Sequence, residues 1–77
     1  MSIKPLFVRA EWDEEASVWV ATSDDVPGLV TEEATMEALI LKLKIIVPEL
    51  LQANGLELGD RVPFEVLTRR FEVAQSV

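Results

Sequence analysis

Residues 19–32 are WVATSDDVPGLVTE, and a long helical pattern follows them. The stretch predicts a strand over 17–22, a turn, and a short strand over 29–32. The turn is predicted to be of type II, because Pro27 presets one backbone angle and Gly28 accepts the positive angle that follows. A strand, a tight turn, another strand and a helix in this order predict a domain that combines sheet and helix.

The helical pattern predicts one helix from Met36 to Asn54. Thr35 is placed to cap its first turn, and Gly55 provides a left-handed stop. Pro48 lies inside the pattern, which predicts either one bent helix or two helices broken near Val47. An apolar stripe with the spacing i, i+3, i+4, i+7 is expected to face a core. Its members are Met36, Leu39, Ile40, Leu43, Ile46, Val47, Leu50 and Leu51.

Further strands are predicted on both sides of this unit. Residues 3–12 alternate in hydropathy and predict a first strand, which a polar turn at 13–16 follows. A long last strand is predicted from Arg61 to about Ala74, with a bend near residues 69–70 where the apolar parity shifts. The predicted fold class is therefore α+β, with the order β-β-β-α-β and one helix packed on a four-stranded sheet.

The pairing of the first two strands decides which of their side chains face the core. In our preferred register Phe7 and Trp19 lie on the outer face of the sheet. With the other parity Trp12 and Trp19 share a face. In either case both faces carry large apolar groups, which is unexpected for a sheet with one solvated face. The preferred inward set is Leu6, Val8, Ala10, Val18 and Val20.

The size of the chain favours self-association. Its 77 residues fit one domain, spanning 1–77, with a thin core. There is no cysteine to form a disulfide, and oligomerisation is a common alternative way to add buried area. Leu41 and Ile45 also lie off the apolar stripe, and the last strand is longer than its sheet requires. We predict a homodimer or higher homo-oligomer, with the candidate interface residues Phe7, Trp19, Leu41, Ile45, Leu67, Phe71 and Val73.

Charge is distributed unevenly along the chain. The net charge is −7, and the segment 11–37 contains nine acidic residues and no basic one. Such a segment is either a solvated surface that aids solubility or a docking face for a basic partner. Direct nucleic-acid binding is not expected, because phosphate contacts need a basic surface. The candidate docking residues for a basic partner are Asp13, Glu14, Glu15, Asp24, Asp25, Glu32 and Glu33.

Few kinds of chemistry are open to this composition. The absence of His, Cys and Tyr excludes the serine and cysteine triads and the usual zinc sites. The three glycines are too far apart to form a phosphate-binding loop. One catalytic alternative remains, a remnant nuclease that uses Asp24, Asp25 or Glu32 with Mg²⁺. We expect no catalytic residue, no metal and no cofactor.

The chain shows no sign of membrane association. No apolar run approaches the roughly 20 residues that a bilayer span requires. Residues 1–7 lack the long apolar region of a signal peptide. We therefore expect a cytoplasmic protein that does not bind a membrane.

A set of segments is informative when taken together: Trp12-Asp13-Glu14, Val18-Trp19-Val20-Ala21, Asp24-Asp25-Val26-Pro27-Gly28-Leu29, and Thr31 ahead of the long helix. They resemble the N-terminal domain of HicB-type antitoxins, over roughly residues 8–55. The segment Pro48-Glu49-Leu50-Leu51 with Asn54-Gly55 is similar to a small uncharacterised bacterial family placed beside those antitoxins.

The resemblance implies a fold and a partner. The fold would be a degenerate ribonuclease H-like half-fold, a mixed sheet whose last strand is parallel to the first. The resemblance also implies dimerisation and the capture of a small basic ribonuclease toxin. HicB-type antitoxins usually carry a further DNA-binding domain, which this sequence does not supply up to Val77. The resemblance carries over no catalytic residue.

Three hypotheses about function follow from the sequence. The first is a non-catalytic protein-binding module of antitoxin type, without its own DNA-binding domain. The second is the remnant metal-dependent nuclease, and the third is a stand-alone oligomeric protein. Because a fold does not determine a function, the choice among them depends on the surfaces that the fold exposes.

Overall fold

A computed structural model describes residues 5–76 as four strands and one helix, in the order that the sequence predicts. The sheet has the order β3-β2-β1-β4. β2 is antiparallel to both β1 and β3, whereas β4 is parallel to β1, so the sheet is mixed as expected. Residues 3 and 4 of the predicted first strand lie outside the described residues. The elements are β1 (Leu6–Asp13), β2 (Val18–Thr22), β3 (Val30–Glu33), α1 (Met36–Ala53) and β4 (Phe64–Arg69).

The register of β1 and β2 corrects our preferred parity. Trp12 lies opposite Trp19, and Asp13 lies opposite Val18. Directly opposed residues share a face, so Trp19 points inward with Trp12, while Val18 and Val20 point outward. The turn at 14–17 contains four residues, and this even number places Trp12 and Trp19 on the same face. The preferred parity requires a turn with one residue more or one fewer, which would place every side chain of β2 on the opposite face.

The core lies between α1 and the inner face of the sheet. Leu39 and Leu43 of the helix stripe are fully buried. Burying a leucine or valine in this way stabilises the fold by about 1.5–3 kcal/mol per side chain. Ala10 and Ala21 face each other across β1 and β2, where small side chains leave room for the helix. The buried apolar set is Val8, Ala10, Ala21, Val26, Leu29, Leu39, Leu43, Val47 and Leu51.

Helix α1 begins and ends where the sequence predicts. The Thr35 hydroxyl accepts a hydrogen bond from the Ala38 amide at 3.1 Å, which satisfies one free donor of the first turn. Pro48 lies inside one continuous helix, so the alternative of two helices is wrong. Gly55 has φ of +82°, the left-handed conformation that ends a helix. This helix does not combine the length and hydropathy that crossing a bilayer requires.

The Pro27-Gly28 turn is tied to the end of the helix. The Leu29 amide donates to the Val26 carbonyl at 3.1 Å, and Gly28 has φ of +86°, as the predicted type II turn requires. The side-chain amide of Asn54 donates to the Pro27 carbonyl at 3.4 Å. The turn that enters β3 is therefore held against the C-terminal end of α1.

The last strand is shorter than predicted. β4 begins at Phe64 and ends at Arg69, and neither residues 61–63 nor residues 70–76 have regular secondary structure, so the predicted strand from Arg61 to Ala74 is wrong at both ends. β4 pairs with β1 alone, and that ladder ends where Glu11 meets Arg69. Apolar alternation continues past this point, but a strand needs a neighbour to supply its hydrogen bonds.

Candidate functional site

The face of the sheet that points away from α1 is the first candidate surface. We call it the open face, because no helix or strand among residues 5–76 packs over it. Its apolar side chains are substantially exposed, namely Phe7 at 48%, Val30 at 75% and Leu67 at 49%. The open face comprises Phe7, Arg9, Glu11, Asp13, Val18, Val20, Thr22, Val30, Glu32, Glu65, Leu67 and Arg69.

Apolar and charged side chains alternate across the open face. One row crosses the four strands as Val30, Thr22, Arg9 and Leu67. The next row crosses them as Glu32, Val20, Glu11 and Arg69. The face therefore offers a partner both apolar contacts and charges of either sign.

The predicted interface residues do not form one surface. Phe7 and Leu67 lie on the open face. Trp19 packs against the core on the inner face, so its predicted place on the outer face is wrong. Leu41 and Ile45 are exposed at 64% and 62% on the helix, away from the sheet. The two remaining members, Phe71 and Val73, are the most exposed apolar residues of the segment after β4. Their role in an interface stays a prediction.

Val30 belongs to the open face and was missing from the prediction. It is the most exposed apolar residue of the sheet, at 75%. The sequence indicated its exposure only through the alternation of Val30 with Thr31, whose side chain is buried. A strand of four residues gives too few positions for that alternation to be decisive.

The predicted acidic docking face is divided between two ends of the domain. One group lies at the end where α1 begins, and it consists of Asp13, Glu14, Glu15, Glu32 and Glu33. Asp24 and Asp25 lie at the opposite end, because β2 spans the sheet between the two loops. The seven residues therefore cannot contact one small partner as a single patch, and we keep the name acidic end for the first group alone.

Asp24 and Asp25 have structural partners. A guanidinium nitrogen of Arg9 lies 3.3 Å from the Asp24 carboxylate, and the Phe7 amide donates to Asp25 at 2.8 Å. Ser23 donates its hydroxyl hydrogen to the Phe7 carbonyl and accepts from the Asp25 amide at 3.0 Å. The side chains of Ser23 and Asp25 thus hydrogen-bond the backbone carbonyl and amide of Phe7, a residue of β1 that lies outside the pairing with β2.

The described acidic residues do not converge on a metal site. Within residues 5–76 no group of three or more His, Cys, Asp or Glu side chains could hold a metal ion. Asp24 and Asp25 are adjacent in sequence but engage different partners, Arg9 and Phe7. No observation on this part of the chain favours the nuclease alternative.

A pair of tryptophans lies at the acidic end, on the inner face of the sheet. The rings of Trp12 and Trp19 are 5.3 Å apart and meet edge to face at 63°. The Trp12 indole nitrogen donates to the Glu14 carboxylate at 2.7 Å. The guanidinium carbon of Arg70 lies 4.4 Å from the Trp12 ring centroid and 6.0 Å from that of Trp19.

The position of Arg70 was not recognised from the sequence. The parallel register sets Arg69 beside Glu11. The residues that follow them, Arg70 and Trp12, are therefore also neighbours. Deriving that contact requires the pairing of two strands that lie far apart in the sequence, and no local pattern supplies it.

Two comparisons with known proteins give a match. The family described as "Domain of unknown function (DUF1902)" matches residues 5–76. The crystal structure of hypothetical protein TTHA1013 from the extremely thermophilic bacterium Thermus thermophilus is 49% identical. The match covers 95% of this chain and 100% of that one, with a TM-score of 0.71. No curated protein matches.

The structural role of the 23–25 loop is open to a direct test. Replacing Ser23 by alanine removes an acceptor and a donor at once, so Ser23→Ala should lower the free energy of unfolding by about 1–3 kcal/mol. The matched control Asp24→Asn weakens only an exposed ion pair and should cost less than about 1 kcal/mol. Urea denaturation followed by tryptophan fluorescence measures both. Equal losses for the two variants would contradict the role of Ser23.

Proposed function

The chain belongs to the DUF1902 family, and we propose that it is a non-catalytic protein-binding module that works as a homo-oligomer. The open face carries this proposal. One helix covers one face of the sheet, and the other face presents Phe7, Val30 and Leu67 to solvent. Phe7 and Leu67 lie on the adjacent strands β1 and β4, and Val30 lies on the opposite edge strand. Exposed apolar side chains with polar neighbours on one face are a feature of interaction surfaces.

The size of the chain supports a second copy as the occupant of the open face. A chain of 77 residues buries only about 60% of its unfolded surface, and small domains commonly gain stability by association. The four-stranded face spans roughly 400 Å² in projection at about 4.8 Å per strand and 3.3 Å per residue. Its side chains enlarge that area towards the roughly 800 Å² per partner of a standard interface.

The charge pattern of the open face also favours a second copy. A two-fold interface brings the same patch of each protomer together, so a patch of one sign repels itself. The open face carries Arg9 and Arg69 together with Glu11 and Glu32, and it can therefore pair opposite charges with its own copy. The acidic end has no such balance and is unsuited to self-association.

A further part of the proposal concerns the acidic end. We propose that it receives a small basic protein, as the resemblance to HicB-type antitoxins implies for their toxins. Complementary charge would speed the encounter, and the net charge of −7 acts in the same direction. In this account the toxin-neutralising surface and the self-association surface meet at Glu32 and at Asp13, which lies opposite Val18, and are otherwise different parts of the domain.

Light scattering at micromolar concentration tests the open face. The wild-type chain should give at least twice the 8.6 kDa mass of the monomer. Leu67→Glu should shift the equilibrium towards monomer by at least about tenfold, because an unpaired buried carboxylate costs several kcal/mol. The matched control Leu41→Glu makes the same change at an exposed position on the far side of α1 and should retain the wild-type mass.

Two outcomes would contradict this assignment. A wild-type monomer at micromolar concentration would remove self-association altogether. A loss of mass in Leu41→Glu together with a normal mass in Leu67→Glu would move the interface from the open face to the helix.

Co-expression tests the basic partner. A small basic protein encoded by an adjacent reading frame should co-purify at about 0.1 M salt and dissociate at about 1 M, because the Debye length falls from about 10 Å to about 3 Å. Glu14→Lys with Glu15→Lys should abolish the complex. The matched control Glu57→Lys with Asp60→Lys alters the opposite end and should leave it intact. Equal effects of the two double variants would contradict docking at the acidic end.

A further inference from the structure

Trp12, Trp19 and Glu33 form a single row across the inner face of the sheet. Trp19 is opposite Trp12 on one side and opposite Glu33 on the other. Trp19 packs against the core, which fixes the orientation of the pair. Glu14 accepts the indole hydrogen of Trp12 at 2.7 Å and restrains the second ring. Two restrained aromatic faces beside carboxylates are the components of a cation-binding site.

In this structure a guanidinium already lies against the row. Arg70 lies 4.4 Å from the Trp12 centroid and 6.0 Å from the Trp19 centroid, both within the range of a cation–π contact. Its planar group suits stacking on an indole better than the ammonium of lysine does. The site therefore accepts a guanidinium, and the one that it holds comes from the same chain.

Arg70 is connected to the sheet in a way that permits exchange. It is the first residue after β4, in the segment 70–76 that has no regular secondary structure. Its side chain remains 44% exposed, and its ion pair is with Glu72 of the same segment. Movement of this segment would remove the guanidinium together with its counter-ion and leave both tryptophan rings in place.

We propose that Trp12, Trp19 and Glu33 bind an arginine side chain of a partner protein, and that Arg70 occupies the site in the free chain. The inference rests on the proposed function insofar as the ligand is a side chain of a basic polypeptide. The incoming arginine must displace Arg70. The apparent affinity for that arginine is therefore the affinity of the free site multiplied by the fraction of molecules in which Arg70 has left it. Removal of Arg70 thereby increases binding.

A peptide titration of the full chain tests the site. Both tryptophans of the chain belong to it, so intrinsic fluorescence reports on this site alone. The probe is an acetylated, amidated tri-arginine peptide, and the control probe is the same peptide with citrulline, which is close in shape but uncharged. Arg70→Ala should bind the arginine peptide about two- to fivefold more tightly than the wild type, given the strength of an exposed cation–π contact. The citrulline peptide should not bind.

Two further variants make the result specific. Arg69→Ala removes the same charge from the neighbouring residue on the open face and should bind the peptide as the wild type does. Glu33→Gln combined with Arg70→Ala should lose most of the gained affinity while leaving both rings in place. A gain in Arg69→Ala equal to that in Arg70→Ala, no gain in either, or equal binding of citrulline would overturn the proposal.

The same samples separate this proposal from self-association. The scattering mass of Arg70→Ala should equal that of the wild type, because Arg70 lies on the inner side of the sheet. A gain in affinity for Arg70→Ala on a monomeric chain supports the arginine site and contradicts the open-face interface. An oligomer without any gain in affinity overturns the arginine site alone.

Discussion

One helix covers one face of a four-stranded sheet, and the other surfaces of the protein follow from that constraint. Side chains along a strand alternate between the two faces, so apolar residues at both parities place large groups on both sides. Leu39 and Leu43 of α1 are fully buried against the inner side. The chain has no second helix among residues 5–76 for the outer side, and Phe7, Val30 and Leu67 are left exposed there.

The sequence predicted the features that depend on local chemistry. The cap at Thr35, the stop at Gly55, the type II turn and the order of elements are confirmed. The errors arise from long-range pairing. Which side chains of β1 and β2 share a face depends on whether the turn between them has an even or an odd number of residues. The actual turn places Trp19 on the inner face, whereas we predicted the outer face. The end of β4 depends on where β1 stops pairing, which the alternation of Phe71 and Val73 does not reveal.

The surfaces carry different chemical groups, and we therefore expect them to bind different partners. The open face mixes apolar groups with charges of both signs, and we propose that it pairs with a copy of itself. The acidic residues of the acidic end have one sign, and we propose that they receive a basic partner. The tryptophan pair lies at that same end, where an arginine from the partner would find both an aromatic face and a carboxylate. The Asp24–Asp25 loop, at the opposite end, serves the fold by completing the hydrogen bonds of Phe7.

Isotope-filtered NMR on a mixture of labelled and unlabelled chains tests the central claim most directly, because it detects only contacts between protomers. With carbon-13 in one set of chains, the account predicts intermolecular contacts from the methyl groups of Val20, Val30 and Leu67 to the Phe7 ring of unlabelled chains. Contacts confined to Leu41 and Ile45, or no intermolecular contacts at millimolar concentration, would contradict it.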